Sequence, residues 1–572
     1  MFRPSDHLGS VEWDDFSLWL RSNSSIYWVY GKAGSGKSTL VKYLYGHKDT
    51  IANLHNWSGA AKLVVGSFFF YNLGTLEQKS HIGISRAILY QILEQNRPLI
   101  QELLPRMWRG AYAMHRYDGN TRAELPSQAE LSTAFEILSR LTTLKQRFCF
   151  FIDGLDEYAG NSSDGVAFIK RLSSNPNIKI VVSSRPIPVC VDAFSSMPKL
   201  RLQDLTKPDI ENYIHDTLGS HVYMAGLRGS DQRAAADIIQ QLINKATGVF
   251  LWVVLACRSI LDGFASYDNI EELSHRIDEL PSELEQLFRH IVRRLEPRYY
   301  EQTAKMLRIC YQKQRLMRER VYGDIHGDTC TLTCAVCWLA LDTAGLDFEK
   351  APEFQRFSAE QQRNMLRTTK GRLRSRTGGL LEVRRTIYRP SVEFMHRAVF
   401  EFLDNFPEIW ETEPLFIRDS KFNANAALLH MAMSICYERP TNVNKIEMVR
   451  GLCHAQVADK ENPELSLAML LRIEEVVLCR EAVLSSNLSG CFRGVELKPS
   501  NYVATYGRGI FLLELAIEAG LLEYVRRRLS SHYITNQLKS MLLRHLYSGI
   551  FIPESVAARP RSITRSIEEL LR

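Results

Sequence analysis

Residues 31–38 carry a glycine-rich pattern whose residue types suit the binding of a phosphate group. The segment reads GKAGSGKS and lies between an apolar run and a helix-forming run. Glycines let the backbone wrap around an anion, so that amide N–H groups point inward. Lys37 is then placed to bridge the β- and γ-phosphates, and the Ser38 hydroxyl is placed to ligate Mg²⁺. The predicted nucleotide-binding residues in this segment are Gly31, Gly34, Ser35, Gly36, Lys37, Ser38 and Thr39.

Acidic side chains follow a second apolar run, FCFFI at residues 148–152. Asp153 ends this run, and Asp156 and Glu157 come three and four residues later. A buried strand ending in Asp153 would set a carboxylate near the magnesium of the phosphate loop. Asp156 and Glu157 have the chemistry to polarise or orient an attacking water. The sequence therefore predicts Asp153 as a metal ligand and the acidic pair as catalytic residues.

Arg185 follows a further apolar run, in the segment SSRP. An arginine at the carboxyl edge of a parallel sheet is placed to reach a γ-phosphate and so to report its presence. The alternative is a solvated arginine at the end of a strand. We predict Arg185 as a third catalytic residue.

The elements that must position these residues alternate between short apolar runs and longer amphipathic ones. The apolar runs are nearly continuous in hydrophobicity, as expected of strands buried on both faces of a parallel sheet. Strands that alternate with helices predict a doubly wound α/β domain. The predicted strands are Ile26–Tyr30, Leu63–Tyr71, Phe148–Ile152, Ile178–Val182 and Leu200–Leu202, and the predicted helices are Lys37–Tyr45, Ser80–Glu94 and Leu131–Leu144. Residues 116–128 are predicted to be a polar surface loop.

The rest of the chain is predicted to be mainly helical. A basic stretch at residues 363–389 is interpreted as a two-stranded ribbon that leads into a helix at residues 396–405, together a winged-helix-like unit. Residues 511–529 resemble one ankyrin-type helix pair, and no second copy is found. The predicted organisation is a lead-in at 1–25, a nucleotide-binding domain at 26–205, a helical domain at 206–280, a linker helix and winged-helix-like domain at 281–405 and an all-α C-terminal region at 406–572.

Composition excludes several classes of protein. The 572 residues are 45% hydrophobic and 24% charged, which rules out wholesale disorder and collagen-like repeats. A formal net charge of +7 on a chain of this length does not by itself indicate nucleic acid, which is not expected as a partner. The eleven scattered cysteines are typical of reduced thiols. The longest apolar run, residues 248–257, is about half of a bilayer span. With no secretory signal visible at the N-terminus, we expect a cytoplasmic protein.

Seven segments of the chain together resemble the NACHT family of signal-transducing P-loop NTPases (STAND class, NLR-like), in the form found in filamentous fungi. They cover residues 16–405 in the family's order and read WVYGKAGSGKSTLVKYL, SFFFYNLG, FFIDGLDEY, IVVSSRP, ATGVFLWVVLACRSIL, LPSELEQLF and VEFMHRAVFEFL. The resemblance implies ATP or ADP and Mg²⁺ as ligands, with phosphate binding by Lys37 and Ser38, metal binding by Asp153 and a sensor role for Arg185. It also implies a helical domain and a winged helix that close over ADP.

His396 is assigned to the nucleotide through this resemblance. In relatives, the start of the helix after the ribbon faces the nucleotide domain, where an imidazole N–H would donate to the ADP β-phosphate. The family's His-Asp pair reads His396-Arg397 here, and its helical-domain proline is replaced by the segment Gly248-Val249-Phe250. The alternative for His396 is a core histidine between Phe394 and Phe400.

The function predicted from these observations is a molecular switch controlled by ATP and ADP. It would hydrolyse ATP slowly and self-associate when ATP is bound, with self/non-self recognition or innate defence as the process implied by the resemblance. No N-terminal effector fold or repeat array is recognised, so an effector supplied in trans, a degenerate paralogue and a truncated gene model remain open. Two other functions stay open: a nucleotide-binding scaffold without turnover and a winged-helix DNA-binding regulator.

Overall fold

The structure is a computed structural model of the chain. It describes residues 13–71, 76–110, 125–140, 146–318, 359–385, 390–417, 422–429 and parts of 451–571. The chain divides into two compact units, Met1–Leu287 and Phe288–Arg572. The predicted polar loop at 116–128 is described only from residue 125 onward.

A five-stranded parallel sheet forms the centre of the first unit. Its strands are Ile26–Tyr30 (β1), Lys62–Phe69 (β2), Gln146–Asp153 (β3), Ile178–Ser184 (β4) and Lys199–Arg201 (β5). The order across the sheet is β2-β3-β4-β1-β5, so β4 lies between the two strands that carry the phosphate loop and Asp153. The predicted α/β class is confirmed. All five predicted strands are present, with ends that differ by at most two residues.

Alternation along the central strands sends apolar side chains to both faces of the sheet. In β3, Phe148 and Phe150 join one buried cluster, whereas Cys149 and Phe151 join the other. Helices cover both clusters, which is why these strands read as continuous apolar runs. The helices of the sheet domain are Phe16–Arg21 (α1), Lys37–Gly46 (α2), Lys48–Ser58 (α3), Leu76–Lys79 (α4), His81–Gln95 (α5), Ile100–Leu103 (α6), Gln128–Arg140 (α7), Ser162–Ser173 (α8) and Pro188–Phe194 (α9).

Helices follow the sheet within the first unit, as predicted from residue 208 onward. Side-chain caps define several of their starts: Asp231 accepts hydrogen bonds from the amides of residues 233 and 234, and Asn269 and Glu272 form a capping box. These helices are Lys207–Ile214 (α10, continued by a π-helical turn His215–Gly219), Val222–Ser230 (α11), Gln232–Ala246 (α12), Phe250–Ala265 (α13) and Ile270–Glu279 (α14), and Leu284–Arg293 (α15) crosses the boundary between the units.

Within its described residues, the second unit is helical apart from one antiparallel ribbon. Leu381–Arg385 (β6) pairs with Pro390–Phe394 (β7), and the ribbon leads into a helix, as predicted. The basic stretch at 363–389 is only in part this ribbon: its first half is α-helical, so its interpretation as a ribbon throughout was wrong. The described helices are Tyr300–Arg318 (α16), Ala359–Arg376 (α17), Arg397–Asn405 (α18), Ile409–Thr412 (α19), Pro414–Ile417 (α20), Leu522–Ser531 (α21) and Arg561–Leu571 (α22).

Candidate nucleotide-binding site

The glycine-rich segment forms a tight loop between β1 and α2. Gly34 and Gly36 have φ angles of 71° and 95°, a region that side chains other than glycine rarely adopt. A Cβ atom on Gly34 would lie 2.7 Å from the Cβ of Leu251. The first helical residue is Lys37, and no side chain caps this helix N-terminus. Its amides are therefore suited to an anionic ligand.

Lys37 is buried inside this loop. Its ammonium group donates hydrogen bonds to the carbonyl oxygens of Gly31 and Lys32, each at 2.9 Å. The hydroxyl of Ser35 is also buried and has no hydrogen-bond partner among the described residues. Buried polar groups are nearly always hydrogen-bonded, so an unpartnered hydroxyl in a phosphate loop fits a ligand with acceptor oxygens. Ser38 and Thr39 follow on the exposed side of the first turn of α2.

Asp153 lies at the carboxyl end of β3 and is buried. Its Oδ1 accepts a hydrogen bond from the Ser183 hydroxyl, which in turn accepts one from the Gly154 amide at 2.9 Å. Ser184 faces the other way and accepts a bond from the indole N–H of Trp28 in β1 at 2.9 Å. The end of β4 thus contacts the strands of both motifs. Sequence reasoning missed Ser183, whose only signal is its place next to Arg185 at a strand end.

The acidic pair separates into two different environments. Asp156 Oδ1 accepts a hydrogen bond from the backbone amide of Arg185 at 3.0 Å, and its Oδ2 forms an ion pair with Arg185 Nε at 3.2 Å. Glu157 lies at the end of a 3-10 turn, Leu155–Glu157, with its side chain buried beside Gly154. Asp156 is therefore engaged in holding Arg185, and Glu157 is the better candidate for orienting a water.

The N-terminal region of the chain also matches a known family model. Residues 10–185 match the model for the N-terminal region of nephrocystin 3, which covers the phosphate loop, Asp153 and Arg185. This part of the chain is similar to a NACHT-like P-loop NTPase region. Residues 294–436 match a domain of unknown function, DUF7791. No curated protein sequence matches the chain with significance.

Solved structures that align with the chain do so at low identity. Cdc6p from Pyrobaculum aerophilum is 13% identical with a TM-score of 0.23, covering 68% of this chain and 90% of that one. The Aeropyrum pernix ORC1 protein in complex with DNA is 12% identical with a TM-score of 0.25, covering 71% and 96%. Drosophila ORC bound to DNA is 11% identical with a TM-score of 0.24, covering 67% and 90%. TM-scores of this size establish no shared arrangement.

The phosphate loop is bonded to residues that follow the central sheet. The Lys32 amide donates to Gln203 Oε1 at 3.0 Å, and the Leu251 amide donates to the Gly34 carbonyl at 3.1 Å. The Thr206 hydroxyl lies 3.1 Å from the Gln203 carbonyl oxygen and 3.0 Å from that of Gly248. Two distant segments therefore hold the loop at its backbone. Sequence reasoning missed these contacts.

The segment Gly248-Val249-Phe250 makes one of these contacts. Thr247 and Gly248 have φ angles of 45° and 75°, which turn the chain sharply between α12 and α13. A Cβ on Gly248 would lie 2.3 Å from the Gln203 carbonyl oxygen, so only glycine fits this turn. The turn starts α13 directly against the phosphate loop.

His396 lies in the second unit, not in the core position considered for it. It is half-buried and is the N-cap of α18, where its Nδ1 accepts a hydrogen bond from the Ala398 amide at 3.1 Å. Phe394 and Phe400 pack with ring centroids 6.3 Å apart. In the neutral imidazole, an Nδ1 that accepts leaves the proton on Nε2. The contact of His396 with a nucleotide stays a prediction.

Magnesium at this site would be held differently from a structural metal. In the described ranges, no group of three or more His, Cys, Asp and Glu side chains is arranged to hold a metal ion. Mg²⁺ beside a nucleotide usually keeps several waters and uses one or two protein ligands together with phosphate oxygens. A hydroxyl at Ser38 and a carboxylate at Asp153 fit that donor set.

Across the described helices, none is long and apolar enough to cross a membrane.

Proposed function

We propose that this chain is a nucleotide-controlled switch whose NACHT-like domain binds ATP or ADP with Mg²⁺. The observation that carries the proposal is the bonding of the phosphate loop to helical segments of the same unit. The Lys32 amide and the Gly34 carbonyl are tied to Gln203 and Leu251, which lie about 170 and 220 residues further along the chain. A ligand that reorganises this loop must strain or release those bonds.

The chemistry of phosphate binding follows from Lys37. Its ammonium group now donates to two carbonyls of its own loop, and a triphosphate would offer it stronger, charged acceptors. Moving Lys37 toward a phosphate frees the Gly31 and Lys32 carbonyls, next to the amide that Gln203 holds. Nucleotide binding and the position of the helical segment are thereby coupled, which is the property that a switch requires.

Hydrolysis is assigned to the residues at the ends of β3 and β4. Glu157 would accept the proton of the attacking water, and Arg185, held by Asp156, would stabilise charge on the γ-phosphate. When bound, Mg²⁺ would neutralise phosphate charge, held by Ser38 and Asp153. We expect slow turnover, because a switch needs a long-lived ATP state.

Other parts of the proposal rest on the family resemblance. Residues 206–280 would form the helical domain and residues 281–405 the linker helix and winged-helix-like domain, with His396 binding ADP in the closed state. ATP would then favour self-association, and fungal self/non-self recognition or defence would be the process served.

The experiment is to identify the nucleotide that co-purifies with the full chain and to measure its retention and turnover. Lys37→Ala removes the cation that faces the phosphates and should abolish retention. Lys42→Ala, on the exposed face of the same helix, is the matched control and should retain nucleotide as the wild type does. Equal retention by the two variants would contradict the site.

Glu157→Gln separates the switch from a scaffold without turnover. A carboxamide cannot accept the water's proton, so this variant should keep ATP bound and slow its hydrolysis. If the wild type hydrolyses ATP no faster than Glu157→Gln, the chain is a nucleotide-binding scaffold and not a hydrolysing switch.

A further inference from the structure

Helix α17 presents a line of cations along one face. Arg363, Arg367, Lys370 and Arg374 are separated by four, three and four residues, and all four are exposed. Residues at this spacing lie on the same side of an α-helix. With a rise of about 1.5 Å per residue, the line is about 16 Å long. We call these four residues the basic stripe.

None of the four cations has an ion pair or a side-chain hydrogen bond in the part of the chain that the structure describes. Other arginines of the same unit are paired: Arg289 and Arg293 both bind the buried carboxylate of Glu413. Like charges at i,i+4 destabilise a helix. The four cations therefore repel one another along the helix, and a polyanion would offset this repulsion.

The residues along one flank of the stripe are small and polar. Each follows a stripe cation by one position, and all are exposed; they are Asn364, Thr368, Gly371 and Ser375. A Cβ on Gly371 would meet no atom within 4 Å, so the surface beside Lys370 is open. Thr369 and Leu373, beyond the other flank of the stripe, are buried and hold the helix against the unit.

We propose that the basic stripe binds the phosphate backbone of duplex nucleic acid. Arginine donates bidentately to phosphate, and a straight line of cations suits a regular row of phosphates. Amide and hydroxyl side chains beside the stripe add donors to phosphate and sugar oxygens. A membrane surface is disfavoured, because helices that lie on bilayers place large apolar side chains beside their cations.

The stripe lies in the first half of the basic stretch at 363–389, which is helical, and the ribbon in the second half is a weaker candidate for contact with DNA. The ribbon's Arg384 is occupied within the unit: it pairs with Glu382 at 3.3 Å and Glu393 at 3.7 Å and donates to the Met395 carbonyl at 3.3 Å. The small net charge of the whole chain gives no sign of the stripe, although α17 holds six Lys and Arg residues and a single acidic residue, Glu360. We therefore expect nucleic acid to bind at this one helix.

The test measures binding of the full chain to a fluorescent DNA duplex by anisotropy at several salt concentrations. Four phosphate contacts predict a slope of log K against log salt of about −3.6, or about a 150-fold loss between about 50 and 200 mM salt. The variant with all four stripe cations changed to Gln should lose this affinity and flatten the slope by about 3–4.

The matched control changes four exposed cations scattered over the first unit to Gln: Arg97, Lys170, Lys207 and Arg233. It removes the same charge without touching α17 and should bind the duplex within about threefold of the wild type. Circular dichroism and nucleotide retention check that both variants fold.

Three results would overturn the proposal. One is no duplex binding by the wild type at low salt. Another is an equal loss in the stripe variant and the control, which would indicate diffuse charge. The third is stripe-dependent binding to phosphatidylserine vesicles or to polyglutamate that matches or exceeds binding to DNA, which would assign the stripe to a lipid surface or an acidic protein.

Discussion

Replacing Asp156 tests whether this carboxylate positions Arg185 or acts on water. The Asp156 side chain is 5% exposed and that of Arg185 is 27% exposed, so their ion pair is largely shielded from solvent. Asp156→Ala removes both this pair and the acceptor for the Arg185 amide. A hydrogen bond to a charged group contributes about 1.5–3 kcal/mol, so local opening at residue 185 should become easier by that amount.

Amide hydrogen exchange of the peptide that contains Arg185 measures this change directly. A loss of about 1.5–3 kcal/mol corresponds to exchange that is about 10- to 150-fold faster. Asp156→Asn keeps an acceptor of the same shape and should show a smaller increase. Glu157→Gln, at the neighbouring position, should leave the exchange of this amide unchanged.

The reasoning is refuted if Asp156→Ala leaves the Arg185 amide protected while ATP turnover falls as far as in Glu157→Gln. Asp156 would then act on the water, as the sequence alone predicted. Faster exchange with Glu157 still required for turnover supports a positioning role for Asp156.

Three further changes probe other parts of the structure. Gly34→Ala places a methyl group at a φ of 71° and 2.7 Å from the Leu251 Cβ, so it should lower the free energy of unfolding by about 1–3 kcal/mol and weaken nucleotide retention. Gly46→Ala is the control and should retain nucleotide, because nothing lies within 4 Å of the added Cβ. Burial lowers the pKa of Lys179 from 10.5 to about 8, so the unfolded chain binds more protons between these pH values. In urea denaturation the free energy of unfolding of the wild type, relative to that of Lys179→Met, should therefore rise by up to about 1.4 kcal/mol per pH unit across that window. A difference between the two proteins that does not change with pH would contradict the shifted pKa. His396→Asn keeps a capping side chain but removes the imidazole. Faster ADP release in both His396→Asn and His396→Leu would support a contact between His396 and ADP. If His396→Asn releases ADP as the wild type does, His396 acts only as a helix cap.

The sequence predicted the parts of the fold that depend on local patterns. Strands buried on both faces are continuous apolar runs, and a tight loop between a strand and a helix requires glycines at fixed spacing, so the strands and the position of this loop were predicted correctly. Helix α17 was missed because only a few residues, such as Thr369 and Leu373, face the interior. Its apolar periodicity is too sparse to indicate a helix, and its most regular feature is the spacing of its cations.

The parts of the site that could not be predicted are contacts between residues far apart in sequence. Ser183 bonds Asp153 from the neighbouring strand, and Gln203 reaches Lys32 across 171 positions. A serine at a strand end and a glutamine in a short 3-10 turn carry no signal of their own. The separate roles of Asp156 and Glu157 likewise depend on where β4 ends relative to β3.

The position of β1 in the sheet has a consequence for synthesis on the ribosome. Both neighbours of β1 are made much later, because Ile26 pairs with Ile180 in β4 and Trp28 pairs with Lys199 in β5. At about 5–20 residues per second, β1 waits about 8–30 s for its first partner. Four of its five residues are buried in the finished domain. During that interval the nascent chain exposes an apolar strand with two open edges, so we expect chaperone engagement to begin with the segment that leads into the phosphate loop.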